Sequence, residues 1–381
     1  MGGGSGTGRI TDLSFPLEAI KQRAAQDGSL VQYVLNNTFI ISAGSLAPTY
    51  PTPPDVCLVF LKTWATEGYD RTTLLTDWNG TALVETVAAN CPNTVVITNS
   101  GGINTFPFAD NPNVTAILAA HFGGEQTGNS IVDVLYGDVN PSGHLPYTVA
   151  LEEADYEFAD ITNSTELYYT TNVTAWQSDF KERLLIDYRH FDYYNLSVQY
   201  EFGFGLSYTT FELSSLSVAA TGGAVSATPP ANPVQPGGNP ALWETLYTIT
   251  ASVSNTGSIP GYATPQLYLG LQQAFGADPV PVKVLRGFEK VLLQPGESQQ
   301  VSFPIMRRDL SYWSTQQQEW IISEGDVAIY AGYSSRDIRA TSSFNPISGA
   351  TGGQSGGNGS HYNNHNGGWG NHHGGYGPPG K

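Results

Sequence analysis

The chain is poor in charge and poorer in cysteine. Of its 381 residues only 13% are Asp, Glu, Lys or Arg, and two are cysteines, Cys57 and Cys91. Two cysteines exclude a disulfide-rich scaffold. Basic residues are the scarcer charged class: 16 Lys and Arg stand against 33 Asp and Glu, a formal net charge of −17. A surface of that sign repels phosphate backbones, so nucleic acid is excluded as a general partner. Long apolar runs are missing too. None approaches the ~20 residues that span a bilayer, so no membrane-inserted helix is expected. The opening residues, Met1 to Gly8, have neither the basic start nor the apolar stretch of a signal peptide. Yet Asn-x-Ser/Thr sequons begin at Asn36, Asn79, Asn113, Asn163, Asn172, Asn195 and Asn358, a count that leans toward the secretory pathway. The expectation is a chain incomplete at its N-terminus, or one that is not exported.

What is present is enough for sizeable cores. Hydrophobic residues make up 40% of the chain, alongside 43 Gly and 24 Pro, and the length suggests two or three domains of ~150 residues. Three compositions follow one another. In the first, Val31–Leu35, Val56–Leu61, Thr94–Thr98 and Val114–Ala119 are short and β-branched, as buried parallel strands are. Asp77–Ala89 places Leu83, Val84, Val87 and Ala88 on one helical face. Thr127–Tyr136 repeats the pattern with Ile131, Val132, Leu135 and Tyr136, and Gly137 supplies a stop. Strand, helix and strand in alternation predict a mainly parallel sheet with flanking helices, an α/β sandwich.

From about residue 205 the texture becomes all-β. Leu246–Val253, Gln266–Leu271, Val282–Phe288, Gln300–Pro304, Glu319–Ile322 and Val327–Gly332 are separated by turn signals such as Asn255-Thr256-Gly257. Short strands at this spacing predict an antiparallel sandwich. The Gly-, Ala- and Pro-rich insert 219–240 reads as a mobile loop. The tail is Gly, Asn, His and Ser with almost no aliphatics, and is expected to be disordered. The domain expectation is thus 1–155 for the α/β sandwich, 156–204 as a connection, 205–345 for the β-sandwich and 346–381 for the tail.

Ligands of an open parallel sheet sit beyond the carboxyl ends of its strands. The loop after Val56–Leu61 carries Glu67, Tyr69 and the pair Asp70-Arg71, with Trp64 nearby. Aromatic faces suit sugar rings, and a carboxyl group shielded by them keeps its proton nearer neutral pH. On composition alone the plainer reading prevails, a surface loop with a solvated glutamate and a local ion pair, because Glu-Gly-Tyr is a weak signal.

A longer series of blocks reverses this. Glu67-Gly68-Tyr69-Asp70-Arg71 is followed by Asn111-Pro112-Asn113-Val114-Thr115, Asp133-Val134-Leu135-Tyr136-Gly137-Asp138 and Asn140-Pro141-Ser142-Gly143-His144-Leu145-Pro146-Tyr147-Thr148. Then come Asp187-Tyr188-Arg189-His190-Phe191-Asp192 and Tyr200-Glu201-Phe202-Gly203-Phe204-Gly205-Leu206-Ser207-Tyr208-Thr209. From about Gly4 to about Ala340 the chain resembles the C-terminal half of glycoside hydrolase family 3, particularly its fungal β-glucosidases. The resemblance implies an α/β sandwich domain followed by a fibronectin-III-like domain. It implies retaining hydrolysis of terminal β-D-glucosyl residues from cellobiose or other cello-oligosaccharides and from aryl and alkyl glucosides. Glu67 would be the acid/base and Tyr69 an aglycone-binding aromatic, with no cofactor and no metal. The nucleophilic Asp would come from an N-terminal barrel domain that this chain lacks, and the parent enzyme would be secreted. A β-xylosidase of the same family is the close alternative; an inactive fragment or an accessory carbohydrate-contacting module is the further one.

The remaining features take plainer readings. Asp70 and Arg71 hold the loop, and Ser178-Asp179-Phe180 matches the family's nucleophile motif only by coincidence. The resemblance makes Gly123-Gly124-Glu125-Gln126, which could otherwise cradle an anion ahead of a helix, a structural turn; Gly2–Gly8 follows no strand, so it is no phosphate loop, and it resembles the family's entry into the sandwich domain. Four of the seven histidines lie in the tail. Cys57 and Cys91 fall at one sheet edge, which predicts a disulfide in an exported protein and two buried thiols otherwise. Without the negative nucleophile beside it, Glu67 is expected to show a smaller upward pKa shift than in a complete enzyme.

Overall fold

A computed structural model describes residues 2–47, 54–156, 180, 182–233, 235–271 and 279–349. Its first half is a parallel sheet of β1 (Cys57–Lys62), β2 (Thr94–Asn99) and β3 (Val114–Ala119), in that spatial order. Helices α1 (Pro16–Asp27), α2 (Asn37–Ala43), α3 (Gly80–Ala88) and α4 (Thr127–Leu135) cover it. Strand side chains alternate between faces. Val59 and Leu61 of β1 and Val96 of β2 pack with Leu83, Val84 and Val87 of α3. Leu58 and Phe60 pack the other way, against Ala19 and Ile20 of α1 and Val132 of α4. Covering on both faces explains why the strands read as continuous apolar runs.

One sequence expectation is corrected here, and two helices are added. Val31–Leu35 forms no strand; it passes outside the sheet with Leu30 and Leu35 exposed. A short β-branched run does not determine whether a paired neighbour exists, and β1 pairs only with β2 among the described strands. Helices α1 and α2 went unforeseen, because their apolar faces are thin. Of the two alternatives for the cysteines the structure has the disulfide: Cys57 opens β1, Cys91 precedes β2, and their sulfurs are bonded with Cα atoms 6.3 Å apart.

The second half is antiparallel. One sheet pairs β6 (Phe211–Ala220), β7 (Thr245–Asn255) and β12 (Ser298–Met306), with β7 central. The other orders β10 (Val284–Phe288), β9 (Gln266–Gly270), β15 (Val327–Gly332) and β16 (Ile338–Phe344). Two short antiparallel pairs, β8 (Gly261–Ala263) with β11 (Val291–Leu293) and the hairpin β13 (Ser311–Ser314) with β14 (Glu319–Ile322), complete it. Inward residues Ile249, Ala251, Val253, Leu267, Leu269, Phe303, Ile305 and Ile329 form one core. The insert expected to be mobile is tied down: Ala227 accepts a hydrogen bond from the Ile322 amide, and Ser226 accepts one from Arg307. Gly- and Pro-rich composition did not reveal those anchors. The low-complexity tail from residue 350 lies outside the described residues.

Several of the motif blocks join the two halves. Asp187, before α5 (Tyr188–Tyr193), accepts from the Thr148 amide and hydroxyl, each at 2.9 Å. Nearby, β4 (Val149–Ala150) pairs with β5 (Val198–Tyr200). Asp192 of α5 is paired with Lys283 at 2.6 Å and with Arg336 at 3.3 Å. The Tyr188 hydroxyl accepts from the Leu285 amide, and its ring stands 4.6 Å from that of Phe202. Gly203 is left-handed, φ +81, and a Cβ there would lie 2.3 Å from Gln266 Oε1, while Gln266 Nε2 donates to the Gly203 carbonyl. Only glycine fits that crossing. These blocks build a joint.

Candidate active site

The loop that leaves the carboxyl end of β1 is staked at several points. The Thr63 amide donates to Asn99 O, extending the β1–β2 ladder by one residue. The Trp64 amide donates to Asp77 at 2.7 Å, and Arg71 donates to the Ile103 carbonyl at 2.6 Å. Glu153 accepts from the Leu74 amide at 2.5 Å and from the Thr73 hydroxyl. Between these stakes Thr66 and Tyr69 form an isolated antiparallel bridge, so Glu67-Gly68 is the tip of a tight turn. Glu67 is therefore held out, exposed, at the sheet's carboxyl edge.

Aromatic rings flank it in the chain. Trp64 and Tyr69 are 55% and 63% exposed, with centroids 6.4 Å apart and planes tilted by 51°. Phe122, just beyond β3, lies beside Ala65 and the Gly2 backbone. The N-terminal segment crosses directly over the turn. Gly3 donates to Ala65 O at 2.9 Å, and at Gly4 (φ +64) a Cβ would lie 2.5 Å from that of Glu67. The next residue, Ser5, donates both its amide, at 2.9 Å, and its hydroxyl to Glu67 Oε2. No partner engages Oε1 among the described residues.

Those two bonds set the electrostatics. Donation to the charged form, first from the Ser5 hydroxyl and then from its amide, holds the Glu67 carboxyl below the usual carboxylate range against a small opposing effect of burial. The residual upward shift expected from the sequence is thus reversed. Its cause, a serine 62 positions away, leaves no local trace in the loop.

Sequence reasoning also missed a pair at the end of β3. His121 and Tyr147 stack edge-on with centroids 5.7 Å apart, and the Tyr147 hydroxyl lies 3.5 Å from His121 Nε2. Burial favours neutral imidazole and pushes Tyr147 up to about 12, with Arg71 working the other way. The signal available was position: His121 follows β3 at the edge where ligands bind.

Other candidates resolve as scaffolding. Glu125 accepts from the Thr11 amide at 2.6 Å and the Thr11 hydroxyl at 3.0 Å, and so anchors the N-terminal segment. Arg71 is half-buried, and burial lowers its pKa; Asp70 is exposed. Ser178 and Asp179 lie outside the described residues. Among the described residues no three His, Cys, Asp or Glu side chains cluster as metal ligands, and no helix is long and apolar enough to cross a membrane.

Residues 1–208 match the glycosyl hydrolase family 3 C-terminal domain, and residues 263–335 the fibronectin type III-like domain. The chain is 55% identical over 347 residues to probable beta-glucosidase G of Aspergillus flavus, covering 91% of this chain and 42% of that protein. It is 43% identical over 346 residues to probable beta-glucosidase M of Aspergillus niger, covering 91% of this chain and 43% of that protein. Beta-D-glucoside glucohydrolase from Trichoderma reesei superposes with TM-score 0.77 at 37% identity, over 91% of this chain and 47% of that one. Chaetomium thermophilum beta-glucosidase gives TM-score 0.80 at 30% identity, over 91% and 50%. The chain thus spans less than half the length of the two curated relatives named here. A matched family domain over more than half of the chain, with the parallel sheet and the antiparallel sandwich in the order that family has them, places this chain in glycosyl hydrolase family 3.

Proposed function

We propose that Glu67 is the general acid/base of a retaining β-glucosidase and that Tyr69 lines its aglycone subsite. One observation carries the reading: Glu67 stands at the tip of a staked turn on the sheet's carboxyl edge, near Trp64 and Tyr69, with Oε1 open. The names of the relatives support the glucosidase chemistry.

A retaining glycosidase needs two carboxyl groups about 5–5.5 Å apart. In the first step a carboxylate bonds to the anomeric carbon, the glycosidic bond breaks, and Glu67 gives its proton to the departing oxygen. In the second, Glu67 takes a proton from water as the water oxygen attacks that carbon, releasing glucose and the first carboxylate. That first carboxylate is an aspartate of a barrel domain outside these 381 residues. Leu30, Leu35 and Trp78, 85%, 83% and 68% exposed, are apolar surface available for such a domain to cover. The Cys57–Cys91 bond is of a kind that persists in an oxidising compartment, which supports export of the whole enzyme.

The test uses an active enzyme that contains this chain. Glu67→Gln should lower turnover of cellobiose by roughly 10²–10⁴-fold while sparing an aryl glucoside whose leaving group needs little protonation. Equal loss on both substrates removes Glu67 from the role. An aryl β-xyloside hydrolysed faster than the aryl β-glucoside would move the reading to a xylosidase. The 381-residue chain alone should turn over neither.

A further inference from the structure

A cavity of about 320 Å³ opens on the antiparallel sandwich, within the ~300–1,000 Å³ range of small-ligand sites. None of the elements that carry the Glu67 turn lines it. Its walls are Trp243, on the 3₁₀ turn Pro240–Trp243, and Trp320 of β14, with Met306 at the end of β12. The Arg308 guanidinium sits 5.0 Å from the Trp243 ring centroid and 5.7 Å from that of Trp320. Arg286 of β10 faces the same space.

The charges there do not close. Asp309 has one oxygen engaged by the Met306 amide at 2.9 Å, and the other is 3.9 Å from Arg286 Nε, beyond hydrogen-bond reach. Arg286 Nε is buried and makes no hydrogen bond among the described residues. Burial lowers the Arg286 pKa; Asp309 opposes this, while Arg189 and Arg308 add to the lowering. Two guanidiniums thus face one carboxylate, in a chain whose net charge is −17. An under-compensated cationic pocket calls for an anion. A bare inorganic anion leaves the two indoles and Met306 without a role. A neutral sugar uses the aromatic walls but leaves two guanidiniums, Arg286 part-buried and Arg308 exposed, against the single Asp309 carboxylate. A ligand with a ring face and a carboxylate uses both.

We propose that this cavity is a binding site for a carboxylated sugar, a uronic or aldonic acid unit, with its ring against the Trp243–Trp320 wall and its carboxylate on Arg286 and Arg308. The site is independent of Glu67.

Calorimetric titration of the full chain with glucuronate, glucose and inorganic sulfate at matched ionic strength tests it. Glucuronate should bind at least about tenfold more tightly than either comparator, and Arg286→Gln or Trp320→Ala should each weaken it by about that factor. Arg308→Gln changes an exposed side chain and should do the same, so the test survives if a buried variant fails to fold. Glucose binding as well as glucuronate, sulfate binding as well as glucuronate, no glucuronate binding, or Arg308→Gln leaving affinity intact would each overturn the site.

Discussion

The parallel-sheet half and the antiparallel half obtain their order by different means. In the first, three strands of six residues each are covered by helices, one edge carries a disulfide, and the loops are staked by Asp77, Arg71 and Glu153. In the second, strands of ten, eleven and nine residues pair along most of their length over one continuous apolar core. Packing sets the sandwich. Polar anchors and a covalent link set the loops of the parallel half, and Glu67 stands on one of those loops. A site built this way holds a carboxylate and two aromatic rings in solvent without drawing on the core beneath.

The largest effect that would separate the halves is a core truncation in the sandwich. Phe303 is 2% exposed within that core. Phe303→Ala should destabilise the protein by about 3–5 kcal/mol in urea unfolding. A cost under about 1 kcal/mol would mean the core is far looser than its burial implies. Reducing the Cys57–Cys91 bond comes next. It closes a loop with a sequence separation of 34, and its loss should cost about 2–4 kcal/mol. Hydrogen exchange should show the loss in β1, β2 and α3 and not in β7 or β12. Equal loosening everywhere would erase the distinction between the two halves.

The joint gives the third case. At Gly203 both the backbone conformation and the Gln266 contact oppose a side chain. Gly203→Ala should cost about 1–3 kcal/mol. It should also split one calorimetric transition into two, since it loosens the seam and leaves both cores intact. A single unsplit transition would show that Asp192, with Lys283 and Arg336, suffices to couple the halves.

How much of this was legible follows the same division. The strands β1 to β3, helices α3 and α4 and most of the sandwich strands carry their own apolar pattern, so one segment at a time suffices to read them. Val31–Leu35 carried the same pattern without a paired neighbour, and pattern alone does not supply one. The insert 219–240 looked loose because hydrogen bonds to Ser226 and Ala227 depend on residues some 80 to 95 positions away. The place of the loop, with Glu67 and Tyr69 on it, at the sheet's carboxyl edge was readable from strand-end logic, while the roles proposed for the two residues come from the resemblance. Ser5 on the carboxylate, Phe122 beside Ala65 and the His121–Tyr147 contact were not readable, because each arises through tertiary folding.

Ser5 yields the smallest effect, and the one closest to the chemistry. Its hydroxyl is the larger of the two causes that lower the Glu67 pKa. A carboxylate with a depressed folded-state pKa adds stability above its unfolded value and loses it as pH falls through the folded one. Ser5→Ala should therefore raise the Glu67 pKa toward the ordinary carboxylate value, while the Ser5 amide still holds it somewhat below. Carboxyl-carbon NMR of the full chain reads this directly, and the side chain is too exposed for global stability to move measurably. Because a general acid must carry its proton before it can give it, the variant should also move the limb on which activity falls with rising pH to higher pH in an active enzyme. If Ser5→Ala leaves the Glu67 titration unmoved, the N-terminal segment does not clasp the carboxylate in solution. The loop of the parallel half would then be held by its own stakes alone.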